Sequence, residues 1–212
     1  MKTLLIAAMT LCGRISPAGL GSPEDRKFLE EMRGKSQAGV MGAGTLRAED
    51  VEMRGPRGQL PTGRIRALIT ASGRPPVSRR KIFHTGPPPL IFTGARGAEN
   101  LKELSDINAE IIIIPEKDGV LSLAVAWDIL AGRGVEQLLV EGGAGLNYQA
   151  LSQGLVDELL ITITPKLSGD RSATTLAGGP QPLGTPFLDL ELLNCRPTAG
   201  GELFCHYRVL KP

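Results

Sequence analysis

Short apolar runs alternate along this chain with stretches of helical spacing, and glycine or proline closes most of them. That alternation constrains the fold more than any single motif. A strand that is apolar on both faces needs helices on both faces, and a strand–helix–strand order implies right-handed crossovers in a largely parallel sheet. Residues 2–10 form the first such run. Ser22-Pro23-Glu24-Asp25 then combines a capping hydroxyl, a proline suited to the first helical position and an acid three residues on. A helix is expected from there to about Arg33, with Gly34 as its stop.

Further strands are expected at 39–41, 66–70, 89–93, 137–141 and 156–164, with a short edge strand at 79–84. Glu110-Ile111-Ile112-Ile113-Ile114 reads as a central strand, since β-branched residues favour strands. Helices are expected after Gly44, at 100–105, at 121–130 and at 144–153. Residues 52–63 and 169–185 read as loops. Residues 187–195 and 202–210 alternate like a terminal antiparallel pair, joined by Ala199-Gly200-Gly201. The fold class is therefore α/β: a mixed, mostly parallel sheet with helices on both faces and an antiparallel C-terminal strand pair. No linker or repeat divides it, so residues 1–212 read as a single domain.

Composition narrows the function classes. Lys+Arg is 24 and Asp+Glu is 22, a formal net charge of +2, too balanced for a nucleic-acid binder. There is no CxxC pair and no HExxH, so no metal site is expected, and three separated cysteines do not make a disulfide framework. A reducing, cytoplasmic setting is the simpler reading. Met1-Lys2 ahead of the apolar residues 4–11 has the outline of a short signal segment. The run is short and no small-residue cleavage site precedes Cys12, so a buried first strand is preferred. No run reaches the ~20 apolar residues of a spanning helix, so no membrane partner is expected.

Ligands of such sheets bind beyond the carboxyl ends of the strands. Two glycine-rich junctions fall there, Gly42-Ala43-Gly44-Thr45 and Glu141-Gly142-Gly143-Ala144-Gly145. Glycines let backbone N–H groups approach phosphate at a helix start, and Thr45 adds a hydroxyl. Neither GxGxxG after the first strand nor GxxxxGK[ST] occurs. Glu141, at a strand end beside a ligand site, is expected to be partly buried, where desolvation raises a carboxylate pKa. The alternative is that it orders the turn.

Leu138-Leu139-Val140-Glu141-Gly142-Gly143-Ala144-Gly145-Leu146-Asn147, then Gly154-Leu155-Val156-Asp157-Glu158-Leu159, then Pro165-Lys166-Leu167-Ser168-Gly169 closely resembles the reductase domain of riboflavin biosynthesis. Upstream, Met9-Thr10-Leu11-Cys12-Gly13-Arg14-Ile15-Ser16 sits where that family has Ser/Thr-Leu-Asp-Gly-Lys-Ile-Ala. Arg33 and the Gly42–Thr45 block match its Arg and its Val-Gly-x-Gly-Thr. The resemblance implies a dihydrofolate-reductase-like fold, NADPH as cofactor, a homodimer, and hydride transfer to C1′ of a ribosylaminopyrimidine phosphate. It places the nicotinamide along the first strand near Ala8 and Thr10, and the pyrophosphate at Gly42, Gly44, Thr45, Gly142, Gly143 and Ala144. Ser72 and Arg74 are its candidates for the adenosine 2′-phosphate, and Thr93 for the adenosine. Ser22, Arg33, Arg47 and Asp50 fall on its substrate side. Glu141, then Arg14, are its candidates for the catalytic polar group.

The chain departs from that family on the substrate side. Cys12 stands for an Asp, Arg14 for a Lys and Gln37 for an Asp, and Glu49-Asp50-Val51-Glu52-Met53 replaces an Asp-Asp-Pro-x-Leu loop. Arginine holds its proton too firmly to donate it. Cys12 reads either as a small buried substitute or as a thiol activated by Arg14 or a helix terminus. Two other functions stay open: reduction of another carbonyl or imine, folate included, and nucleotide binding without turnover. For folate a carboxylate on the first helix is needed, and Glu24, Asp25, Glu30 and Glu31 are read as solvent-facing.

Overall fold

The computed structural model describes residues 1–16, 19–60, 62–104, 107–185 and 187–210. Its strands are β1 (Lys2–Thr10), β2 (Ala38–Gly42), β3 (Ile65–Ile69), β4 (Leu90–Thr93), β5 (Glu110–Ile113), β6 (Glu116–Lys117), β7 (Val120–Leu121), β8 (Gln137–Val140), β9 (Glu158–Thr164), β10 (Leu190–Pro197) and β11 (Leu203–Val209). The helices are α1 (Pro23–Lys35), α2 (Ala43–Ala48), α3 (Ala95–Lys102), α4 (Leu123–Gly132) and α5 (Ala144–Ser152). Nine strands form one sheet in the order β10-β11-β9-β1-β8-β2-β3-β4-β5, and β6 and β7 pair separately. All neighbours in the large sheet are parallel except β9–β11 and β10–β11.

Alternate residues of the central strands serve opposite faces, as a pleated strand requires. Leu5, Leu138 and Val140 pack with Trp127, Leu130 and Leu151 of α4 and α5. Leu4, Ile6 and Leu139 meet Phe28, Leu29 and Met32 of α1. A third cluster joins Met41, Leu46, Leu68 and Ile91 to Ile82 and Phe83. Both faces are thus covered, in the α/β arrangement expected.

Several local expectations are corrected. Helix α1 runs through Gly34 and ends against Ser36. A Cβ at Gly34 would lie 2.8 Å from Pro56 Cγ, so this glycine admits a neighbouring loop and stops nothing. Residues 79–84 are short 3-10 turns, not a strand. Prolines on both sides remove ladder donors, and just beyond the segment the buried guanidinium of Arg66 donates to the Thr85 and Pro87 carbonyls. The isoleucine run is β5, an edge strand bonded only to β4, with Ile111 and Ile113 exposed. Strand propensity gives no position in a sheet. Helix α3 begins five residues before the expected 100–105, and Ser105 lies outside the described residues.

Candidate functional site

A cavity of about 1060 Å³ opens at the carboxyl ends of β1, β2, β3 and β8. Its floor is Ile6, Ala7 and Ala8 of β1, one wall is α1, and the other holds both glycine-rich junctions. Its volume reaches the upper end of the usual range for small-molecule sites, ~300–1,000 Å³.

The junctions lie side by side. Glu141 N–H donates to Val40 O at 2.8 Å, and Gly42 N–H donates to Gly142 O at 2.8 Å. Gly142 has φ +85°, a left-handed conformation that only glycine adopts without strain, and the Gly142–Gly143 peptide is cis. The N-cap of α5 is Gly143, which has no side chain to satisfy the first-turn N–H groups. A Cβ at Gly143 would come to 3.0 Å from Thr45 Oγ1, whereas one at Gly145 would meet nothing within 4 Å. Beside this terminus the buried Asn147 donates from Nδ2 to Leu176 O at 2.8 Å, while its Oδ1 has no partner. Bare backbone donors, a macrodipole and an unused acceptor on one wall fit a phosphate-bearing cofactor with polar groups. In the sequence Asn147 is one residue of the Leu138–Asn147 block, and sequence cannot show which atoms go unpaired.

Glu141 forms the base of the cavity. Its Oε2 accepts from Arg33 Nε at 3.0 Å and Nη2 at 2.6 Å, and its Oε1 accepts from Arg64 Nη2 at 2.9 Å. All three side chains are at most 5% exposed. Gly39 makes room for this cluster, since a Cβ there would lie 2.2 Å from Arg64 Nη2 and 2.6 Å from Glu141 Oε1. Burial pushes the Glu141 carboxyl up, but the two guanidiniums outweigh it and hold the pKa below the ordinary value. The expectation of a raised pKa is corrected on that ground. Arg33 is also redirected. Its Nη1 donates to Arg54 O at 3.0 Å, and its charge is paired with Glu141 at 2.6 Å and not left for an incoming phosphate. Arg64 was missed because nothing in the sequence signals a strand-flanking arginine that turns inward.

On the α1 wall, Ser22 Oγ accepts from the N–H groups of Glu24 and Asp25 and donates to Glu202 Oε2 at 2.5 Å. Asp25 lines the cavity and is half-buried, which corrects its reading as solvent-facing. Burial, reinforced by Glu202, moves the pKa of its carboxyl upward against the opposing effect of the Thr162 hydroxyl.

Ala8, Gly42, Gly44, Thr45, Ser72, Gly142, Gly143, Ala144, Ser22, Arg33, Arg47 and Glu141 all line the cavity. Five expected residues do not. Thr10 is buried, and its hydroxyl accepts the Arg14 N–H at 3.0 Å. Arg14 donates from Nη1 to Ala173 O at 2.7 Å. Thr93 is fully buried and donates to Thr70 O at 2.6 Å. Arg74 is exposed beyond the lining. Asp50 accepts the Lys81 N–H at 2.9 Å. In every case but Arg74 a backbone group captures the polar atom. Cys12 is exposed, not buried. The Thr10 hydroxyl and the Ser168 and Gly169 amides, not Arg14 or a helix terminus, lower its pKa to about 7. Among the described residues no acidic, histidine or cysteine cluster is arranged to hold a metal, and no helix is long and apolar enough to cross a membrane.

Comparison with known proteins converges on one group. Residues 2–203 match the RibD C-terminal domain. The chain is 31% identical over 182 residues to the 2,5-diamino-6-ribosylamino-4(3H)-pyrimidinone 5′-phosphate reductase of Methanothermobacter thermautotrophicus, covering 83% of each. It is 28% identical over 179 residues to the riboflavin biosynthesis protein RibD of Chlamydia pneumoniae, covering 80% of this chain and 47% of that one. A pyrimidine reductase-like protein from Corynebacterium diphtheriae shares the fold with a TM-score of 0.81 at 24% identity, covering all of this chain and 92% of that one.

Proposed function

This chain belongs to the RibD C-terminal domain family, and we propose that it is an NADPH-dependent reductase converting a ribosylaminopyrimidine 5′-phosphate to its ribitylamino form. The observation that carries this reading is the large cavity in which an uncapped α5 N-terminus and two tied glycine junctions face α1 across Ala8. One wall suits a dinucleotide, and the other leaves room for a second, phosphorylated ligand. The sequence name of the Methanothermobacter relative supplies the substrate class.

When bound, NADPH supplies the hydride that C1′ of the ring-opened ribosylamine accepts. The α5 N-terminus, Thr45 and Gly44 would hold the pyrophosphate, the Ala8 backbone would hold the nicotinamide carboxamide, and Ser72 would serve the adenosine side. Arg47 lines the cavity, is exposed, and has no carboxylate partner among the described residues. It is the cation left open for the substrate 5′-phosphate, now that Arg33 is committed to Glu141. Glu141 acts as a positioning residue: fully charged and clamped, it fixes Arg33 and the β8–α5 turn and does not donate a proton. A homodimer is expected of the family, and the exposed apolar residues Phe187, Leu190 and Leu192 at the β10 edge offer it a face.

The test is loss of NADPH absorbance by the purified protein with the diaminopyrimidinone phosphate, its deaminated counterpart and dihydrofolate offered in turn. Turnover of either pyrimidine supports the reading. Turnover of dihydrofolate alone moves the activity to folate, and NADPH binding without turnover of any of the three refutes a pyrimidine reductase.

A further inference from the structure

Cys195 and Cys205 are ten residues apart in the chain, and the C-terminal hairpin brings them together. They are register partners across β10 and β11. Their sulfurs lie 3.7 Å apart as free thiols. The ladder fixes how they face each other. At the hairpin's end Thr198 N–H donates to Glu202 O at 2.8 Å. Antiparallel pairs alternate between hydrogen-bonded and non-hydrogen-bonded, and the register is unbroken from Asn194 to Pro197. Counting back from Thr198 and Glu202 makes Cys195 and Cys205 a non-hydrogen-bonded pair, the kind whose side chains stand closest. Pro197, which has no N–H to donate, falls at the other such position. The two thiols differ in access: Cys195 is exposed, and Cys205 is buried.

We propose that Cys195 and Cys205 are a redox modification site, forming a reversible cross-strand disulfide with a low-molecular-weight disulfide such as glutathione disulfide as the oxidant. Exposure sets the order of attack. The Cys195 thiolate attacks one sulfur of glutathione disulfide and expels a glutathione thiolate. Cys205 then gives its proton to solvent, and its thiolate attacks the Cys195 sulfur of the mixed disulfide and expels the second glutathione. The two protein thiols lose two electrons and two protons, and glutathione disulfide takes them up as two thiols. Burial and the neighbouring Cys195 push the Cys205 pKa up, which suits that thiol to the second, intramolecular step. The sulfurs need only close from 3.7 Å to about 2.05 Å, a side-chain movement that leaves the register intact. A non-hydrogen-bonded pair sets its Cα atoms about 4.5 Å apart, at the short limit of the usual disulfide range. β10 is also an edge strand. A short span and an open edge both make the bond readily reduced. The bond reaches the cavity wall through its neighbours. Arg196 and Phe204, the next pair along, face the other side of the sheet. There Arg196 pairs with Glu24 at 2.9 Å, and Phe204 stacks on Phe28 with ring centroids 5.2 Å apart. Glu202 accepts from Ser22 Oγ at 2.5 Å. These contacts anchor α1, one wall of the cavity, so a staple in the hairpin steadies that wall.

The experiment treats the reduced, folded protein with glutathione disulfide, maps the thiols by mass spectrometry and follows hydrogen exchange before and after. The expected product joins the Cys195 and Cys205 peptides with loss of two hydrogens, and dithiothreitol reverses it. In the oxidised protein the amides of residues 198–204 should exchange about tenfold more slowly, with those of Glu24 and Asp25 slowing alongside. Cys205→Ser should stop at the mixed disulfide on Cys195, and Cys12→Ser should oxidise as wild type does. Should Cys205→Ser lose its cooperative melting transition, Cys195→Ser takes its place and should leave the buried Cys205 unmodified in the folded protein. A bond that forms only in urea, a bond through Cys12 or between two chains, or no bond at all overturns the assignment. A Cys195–Cys205 bond that leaves hairpin exchange unchanged overturns the staple and its link to α1.

Discussion

Replacing Glu141 by Gln removes the anion from a buried cluster that holds two cations. Arg33 and Arg64 are 2% and 5% exposed at the side chain, and both direct donors at Glu141. The amide keeps the shape and can still accept, but the cluster changes from one net positive charge to two with no counter-ion in reach. Breaking a buried pair by removing one partner costs about 3–5 kcal/mol. At roughly 2–4 °C per kcal/mol for a domain of this size, the melting midpoint should fall by about 6–20 °C. Arg64→Met should cost less than half as much, because it leaves Glu141 with the bidentate Arg33 and removes Nη1, a buried donor without a partner. Combined with Glu141→Gln, Arg64→Met should recover stability, with a coupling of at least about 1.5 kcal/mol. Urea unfolding of the four proteins measures this. A Glu141→Gln protein within about 1 kcal/mol of wild type, or strict additivity, would refute the account of the cluster. The pH dependence has a definite sign. The folded pKa of Glu141 lies below its unfolded value, so its contribution is complete above the unfolded pKa of about 4.3. It is lost as pH falls through the folded pKa, and Glu141→Gln should flatten that acid limb.

Asp25 carries the opposite sign. Its folded pKa is raised, so its ionised form costs stability as pH rises, and Asp25→Asn should melt slightly higher than wild type at neutral pH and no higher at low pH. Calorimetry across that range would show the reverse if the carboxylate were stabilised by a partner. Arg47→Ala should raise KM for the pyrimidine phosphate about tenfold or more with little change in melting; an unchanged KM would place the 5′-phosphate elsewhere. Cys12 should alkylate with half-maximal rate near its pKa of about 7, and Cys12→Ser should remove that phase while the slower reaction of the other thiols remains. Mass spectrometry of modified peptides identifies the thiol.

The class of fold was legible because it depends on periodicity. Runs that are apolar on both faces must be sandwiched, and the chain carries enough of them, separated by enough helix-forming residues, to allow little else. The two glycine-rich junctions were legible for a related reason. A strand end followed by glycine and a helix start is a local arrangement, and its geometry travels with the residues. The functional family followed from the Glu141–Asn147 and Gly154–Leu159 blocks, which are contiguous.

What sequence could not decide is where charge is spent. Whether Arg33 faces a ligand or a carboxylate depends on Arg64, thirty-one residues away, and on the absence of a Cβ at Gly39. Arg14 and Thr93 carry the right chemistry for a site, but each spends it on a carbonyl brought near by tertiary structure. Asp25 shows the converse: it lies half-buried on the cavity, and Ser22, which caps its helix, spends its hydroxyl on Glu202. The isoleucines of β5 make the same point for the fold, since a strong strand sequence took an edge position. Local pattern sets what an element is, because backbone sterics and side-chain period act over a few residues. Pairing, burial and ionisation are properties of neighbours that only the closed sheet assembles.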